Sequence, residues 1–185
     1  MVVDDLFPVE ESSYELVFAK SPQPGLQWVA FLEKAYAKLH HCYSNLISGD
    51  ISQGLNDFTN SLPIKEDLNN DDSEELLKKF IRLNREKQLM GCSISAPRGG
   101  GVEQPVELDD ERCGLFYGHA YSIGDVLSFD TFDKEHFDLM RVRNPWGHGE
   151  WILDWSDKPI DSDPDYGKLE KYKKDIDKYY EVRIK

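Results

Sequence analysis

Between Leu26 and His41 the apolar residues recur at steps of three and four: Trp28, Leu32, Ala35 and Leu39 share one stripe, and Phe31 and Tyr36 widen it. That period predicts an α-helix, apolar over so much of its circumference that it reads as a core helix. Upstream, Val2-Val3 and the run 14–19 read as two short extended pieces around Pro8, and Pro22, Pro24 and Gly25 mark a turn into the helix. Residues 47–60 are rich in Gly, Ser, Asp and Asn, with one helical turn expected at 55–58. Residues 66–73 are polar and acidic and read as a loop. Asp72 or Ser73 then caps a second predicted helix running to about Lys87, with Leu76, Leu77, Phe80, Ile81 and Leu83 facing inward.

The pattern changes in the second half. Residues 90–95 are a strand candidate, and 119–129 and 137–144 read as two strands joined by a polar connection around 133–135. The intervening stretch 96–112 holds Pro97, three consecutive glycines at 99–101, Pro105 and the acidic trio Asp109, Asp110 and Glu111, and is read as a long loop. Beyond Trp151 and Trp155 comes an acidic run. Residues 166–180 are then highly charged and helix-compatible, with Glu170 and Lys174 four apart. Helices early and strands late predict an α+β fold, with helices packed on antiparallel sheet and not alternating βαβ units.

Composition narrows the function classes. A chain of 185 residues suits one domain, or a large lobe of a bigger one. A formal charge of -13 argues against nucleic acid and against docking on an anionic membrane. The acidity reads first as a solvated surface and second as a place for a hard cation such as Ca²⁺. No apolar run reaches membrane length, and no basic-then-apolar leader opens the chain. Cys42, Cys92 and Cys113 are odd in number and form no Cys-x-x-Cys pair, which speaks against a disulfide framework or a zinc site and for a reducing, cytoplasmic compartment.

Candidate chemistry centres on Gly118-His119-Ala120-Tyr121-Ser122 and on Arg143-Asn144-Pro145-Trp146-Gly147. A histidine at the start of one apolar run and an asparagine at the end of the next are the base and the orienting amide of a papain-type site, if two antiparallel strands bring them together. Asn-Pro is also a common turn starter. Gly118 permits close approach of a ligand to the backbone, and Trp146 can shield a His–Asn hydrogen bond from water. The nucleophile is not evident. Cys42 follows a helix C-terminus, where the dipole gives no activation. Cys92 reads as a small core hydrophobe, and Cys113 as a loop thiol that could be exposed. No serine has a Gly-x-Ser-x-Gly context, no phosphate loop is present, and His40, His41, His136 and His148 form no His-Glu-x-x-His.

These motifs, with 141–147, Glu150-Trp151, Trp155-Ser156-Asp157, the helix 28–38, Tyr43, Gly54, Asp57-Phe58-Thr59 and Gly91-Cys92-Ser93-Ile94 in order, resemble the calpain cysteine proteases over about residues 1–157. The resemblance implies a calcium-dependent intracellular endopeptidase with a two-lobed, papain-like core. It makes 1–22 the tail of the first lobe, 23–160 the second lobe, and 161–185 a charged helical segment outside that pattern. It assigns His119 as general base and acid, Asn144 as its orienter, Trp146 as the cover over the pair and Gly118 as a cleft residue. It assigns Glu150 and Asp157 as carboxylate ligands for Ca²⁺. Protein substrates and a first lobe carrying the catalytic cysteine are the implied partners. The family's Gln…Cys-Trp segment and a second acidic calcium loop are not among these residues, so this polypeptide alone is expected to cleave nothing. The alternative is a non-catalytic calpain-like binding or regulatory module.

Overall fold

The structure, a computed structural model, describes residues 1–68, 73–95, 103–108, 111–147, 149, 151–152, 155–156 and 171–177; the side chains of 108, 111 and 112 are outside that description. It is α+β. In chain order the elements are α1 (Trp28–Leu39), a 3₁₀ turn (Tyr43–Leu46), α2 (Ile51–Thr59), α3 (Ser73–Arg85), β1 (Met90–Ser93), β2 (Gln104–Leu108), β3 (Glu111–Tyr117), β4 (Ala120–Asp130) and β5 (His136–Arg143). Residues 171–177 are also helical. Packing divides the chain into two units, Met1–Phe58 and Thr59–Lys185.

The first unit is built on α1. Phe7 packs edge-on against Phe31 with ring centroids 4.8 Å apart, Phe18 stacks on Tyr43 at 4.4 Å, and Tyr36 stacks on Phe58 at 4.9 Å. The Ala19 N–H donates to Glu33 at 2.9 Å, and the Tyr36 hydroxyl donates to Asp57 at 2.9 Å. The expectation of a core helix is corrected here. Only Ala30 and Ala37 of α1 are buried, while Trp28 is 62% exposed and Leu32 and Leu39 are also exposed. The stripe is helical, and only part of it is covered. The tail 1–20 forms a single bridge, Val9 to Leu16, instead of two strands. The single turn expected at 55–58 is a nine-residue helix, α2, because Asp50 accepts the Ser52 N–H at 2.8 Å and starts it earlier.

The second unit holds two sheets. Three antiparallel strands run in the order β1-β4-β5, and β2 pairs with β3 in a separate antiparallel ribbon. The central strand β4 carries much of the core: Tyr121, Val126, Leu127 and Phe129 are buried. A register shift between Ile123 and Asp125 leaves Gly124 as the extra residue. Helix α3 packs on β4 with Leu76, Leu77, Phe80, Ile81 and Leu83 half-buried, as its periodicity predicts. Its acidic first turn, Glu74 and Glu75, and basic last turn, Arg82 and Arg85, both favour the helix dipole. Tyr172 closes over the far end of β5, its ring 5.1 Å from Phe137 and 5.8 Å from Trp155.

The loop expected over 96–112 is corrected in its second half. Residues 104–108 form β2, which pairs with β3, and Val106 is buried. Pro105 is accommodated because the ladder is irregular between Pro105 and Glu107. Cys113, expected in an exposed loop, lies in β3 with 0% exposure, its thiol donating to the Val106 carbonyl at 3.4 Å.

A buried asparagine ties α3 to the central strand. Asn84 donates through Nδ2 to the Asp125 carboxylate and to the Val126 carbonyl, the latter at 3.1 Å. Asn84→Ala removes both bonds and leaves a buried carbonyl facing the gap, which costs about 1–3 kcal/mol. Urea unfolding of the variant should show that loss with an unchanged slope. A change below about 0.3 kcal/mol would mean the clamp adds nothing to stability.

Candidate active site

Strand register explains how distant residues converge. β3 ends at Tyr117, and the chain crosses from the ribbon to the three-stranded sheet through only Gly118 and His119. Gly118 has φ +70°, where a side chain would be strained, and its N–H donates to the Ile94 carbonyl at 2.8 Å. His119 is therefore held at the seam between the sheets. In β4 and β5, Ser122 pairs with Arg143, so the residue after Arg143 lies at the same sheet end as His119. That residue is Asn144. In the ribbon, Gln104 pairs with Tyr117, so the residue before Gln104 lies beside the Gly118-His119 crossing. That residue is Glu103.

The His119 ring is 4% exposed and engaged at both nitrogens. Nε2 lies 2.9 Å from Asn144 Oδ1, and Nδ1 lies 2.9 Å from Glu103 Oε1. The Asn144 amide has one consistent orientation. Its Oδ1 accepts the Trp146 N–H at 3.1 Å, and its Nδ2 donates to the Gly149 carbonyl at 3.1 Å. With Oδ1 toward the ring, Nε2 must carry the proton and donate, an assignment that follows from the hydrogen-bond network.

Aromatic rings enclose the pair. The Trp146 ring is 4.1 Å from His119, tilted by 36°, and Tyr121 meets the imidazole edge-on at 4.8 Å. Phe116 backs Trp146 at 5.0 Å, and the Tyr121 hydroxyl accepts the Phe116 N–H at 2.9 Å. Trp146 remains 38% exposed, so it covers one side of the pair while part of its own surface meets solvent. Displacing water strengthens the His–Asn hydrogen bond. Gly149 belongs to the same shell. It has φ +76°, and a Cβ there would sit 3.4 Å from both Asn144 Nδ2 and Phe116 Cε2.

Of the residues singled out in the sequence, Gly118, His119, Asn144 and Trp146 are brought together. Glu150 and Asp157 lie outside the described residues. Among the described residues, no group of three or more His, Cys, Asp or Glu side chains could hold a metal ion. Among the described residues of the second unit, neither thiol is a hydrogen-bond partner of His119. Cys113 is in the ribbon core, and burial pushes the Cys92 thiol up, the opposite of an activated thiolate. Glu103, Phe116 and Tyr121 were not assigned from sequence. Only the hairpin register places Glu103, and residue type gives no hint of it.

A family model described as calpain family cysteine protease matches residues 1–175. Similar curated proteins include Calpain-5 of Caenorhabditis elegans, 33% identical over 177 residues, which cover 85% of this chain and 26% of that protein. The Calpain-1 catalytic subunit of Rattus norvegicus is 34% identical over 175 residues, covering 95% of this chain and 23% of that protein. Calpain of Schistosoma mansoni is 36% identical over 159 residues, covering 85% and 20%. The chain thus spans about a quarter of the length of these relatives. Family match and site geometry agree: this chain belongs to the calpain family of cysteine proteases.

Proposed function

We propose that these residues are the histidine–asparagine half of a calpain-type cysteine endopeptidase core, acting in intracellular proteolysis together with a first lobe that carries the nucleophilic cysteine. In this reading 1–22 are the tail of the first lobe, 23–160 the second lobe, and 161–185 a charged helical appendage. One observation carries the proposal: Asn144 holds His119 Nε2–H, which leaves Nδ1 as the nitrogen that takes a proton. A thiol would give its proton to Nδ1, and the thiolate would attack the peptide carbonyl. The resulting imidazolium would return the proton to the leaving amine, giving a thioester that water hydrolyses. Gly118 would lie along the cleft, where a missing side chain lets substrate backbone approach.

Calcium dependence belongs to the same proposal. Its support is family membership together with the carboxylates Glu150 and Asp157, since a hard cation takes oxygen ligands. The alternative, a non-catalytic calpain-like module, draws on the carboxylate at Nδ1.

The test is reconstitution. The 185-residue chain should not cleave a fluorogenic peptide. Fused behind a cysteine-bearing calpain first lobe, it should cleave the peptide in a calcium-stimulated way, with the stimulation reduced by Glu150→Ala. A folded fusion without hydrolysis would move the assignment to the non-catalytic module. Equal hydrolysis with calcium and with chelator would remove the calcium part alone.

A further inference from the structure

The carboxylate on the other side of the ring is not accounted for by the triad. Glu103 Oε1 lies 2.9 Å from His119 Nδ1, and among the described residues the Glu103 side chain makes no other hydrogen bond. Because Asn144 fixes Nε2 as a donor, and because an ionised carboxylate only accepts, Nδ1 must donate as well. An ionised carboxylate at that distance requires the Nδ1 proton and makes a charge-assisted pair with the ring.

We propose that Glu103 is a resting-state lock: its carboxylate occupies the face of His119 that a thiol needs, and it must swing away before His119 can accept a proton. The proposal rests on the protease reading above. A doubly protonated ring has no lone pair to accept a thiol proton. A thiolate and a carboxylate also cannot share Nδ1 without close repulsion between like charges. The lock is built to open. The His119 side chain is 5% exposed and anchored by Asn144, whereas that of Glu103 is 41% exposed. Glu103 directly precedes β2, whose first residue Gln104 is paired with Tyr117. Side-chain rotation can therefore return the carboxyl group to water without disturbing the ribbon, and the proton shared with Nδ1 leaves with it to solvent, so that a neutral ring with a free Nδ1 lone pair stays behind and no unpaired charge is buried.

Two readouts on the 185-residue chain need neither a thiol nor a substrate. The first is nitrogen-15 NMR of the histidine rings in the unmodified chain. Protons on both Nδ1 and Nε2 of His119 are expected, and an unprotonated Nδ1 would overturn the lock. The second is carbethoxylation by diethyl pyrocarbonate, mapped by mass spectrometry, with the exposed His136 as internal reference. Glu103→Ala should speed modification of His119 by tenfold or more and leave His136 unchanged. Equal rates at His119 in a variant with an unaltered melting profile would also overturn it. Glu103→Gln serves if the alanine variant misfolds, with the same expected direction. In the fused protease, Glu103→Ala should raise kcat by about two- to fivefold, as expected for release of a half-exposed ion pair, and an unchanged kcat would show that the contact does not restrain catalysis. Failure of the two chain-only readouts sinks the lock and leaves the protease reading standing; a silent fusion with Nδ1 shown protonated sinks the protease reading and leaves Glu103–His119 as a structural ion pair.

Discussion

In a fusion that supplies the cysteine lobe, His119→Ala should lower kcat by about 10⁴–10⁶ while leaving peptide binding nearly intact. The size follows from how a base–nucleophile pair works: without the base the thiol is left at its resting protonation, and no group returns a proton to the leaving amine. A loss of that order is about 5–8 kcal/mol of transition-state stabilisation at 1.36 kcal/mol per tenfold. The geometry makes substitution by another base improbable. The imidazole sits at a two-residue crossing between sheets, under Trp146 and beside Tyr121, and among the described residues no second histidine shares that seam. Removing the ring also leaves a cavity among Phe116, Tyr121 and Trp146, so a melting curve must accompany the kinetics. A stable variant that keeps more than about a hundredth of the rate would show that His119 is not the base.

Much of this site could be read from sequence because its two principal residues sit at strand ends. Alternating apolar positions over 119–129 and 137–144 predict two strands, and the observed β4 and β5 differ from that expectation by one residue at each end. Once those strands pair antiparallel, His119 and Asn144 must fall at one end. The helix α3 was legible for the same reason, since its inward positions are regularly spaced. What failed was any stretch whose local chemistry opposed its final state. Pro105 and the acidic residues 109–111 argue for loop, yet tertiary pairing with β3 draws 104–108 into a ribbon around Val106 and Cys113. Glu103 was hidden with it, because its importance depends on hairpin register and on nothing in its own neighbourhood. The error at α1 is of another kind. Periodicity reports which residues share a face but not whether the chain itself covers that face, and Trp28, Leu32 and Leu39 remain open.

Asn144→Ala is the second large expected loss, and it separates orientation from proton transfer. The asparagine does three jobs at once: it accepts Nε2–H of His119, caps the Trp146 N–H and donates to the Gly149 carbonyl. Alanine removes all three, so the ring is free to rotate and to exchange tautomers, and the cover provided by Trp146 loosens. Loss of the correct tautomer alone can cost about 10⁴ in kcat where a buried acceptor fixes a histidine, as the serine-protease triad illustrates. A neutral amide orients more weakly than a buried carboxylate, so about 10²–10⁴ is expected here, with KM changed little. Asn144→Asp discriminates further. The carboxylate still accepts from Nε2 and from the Trp146 N–H, but the donor to Gly149 is gone and a negative charge faces the Gly149 carbonyl. Its rate should fall between those of the parent and the alanine variant. An alanine variant within about threefold of the parent would remove Asn144 from the mechanism and leave its hydrogen bonds as supports of the turn alone. Equal losses in Ala and Asp variants would shift the weight from the imidazole to the Asn144–Gly149 link, and the 144–149 turn would then be the element that positions the base.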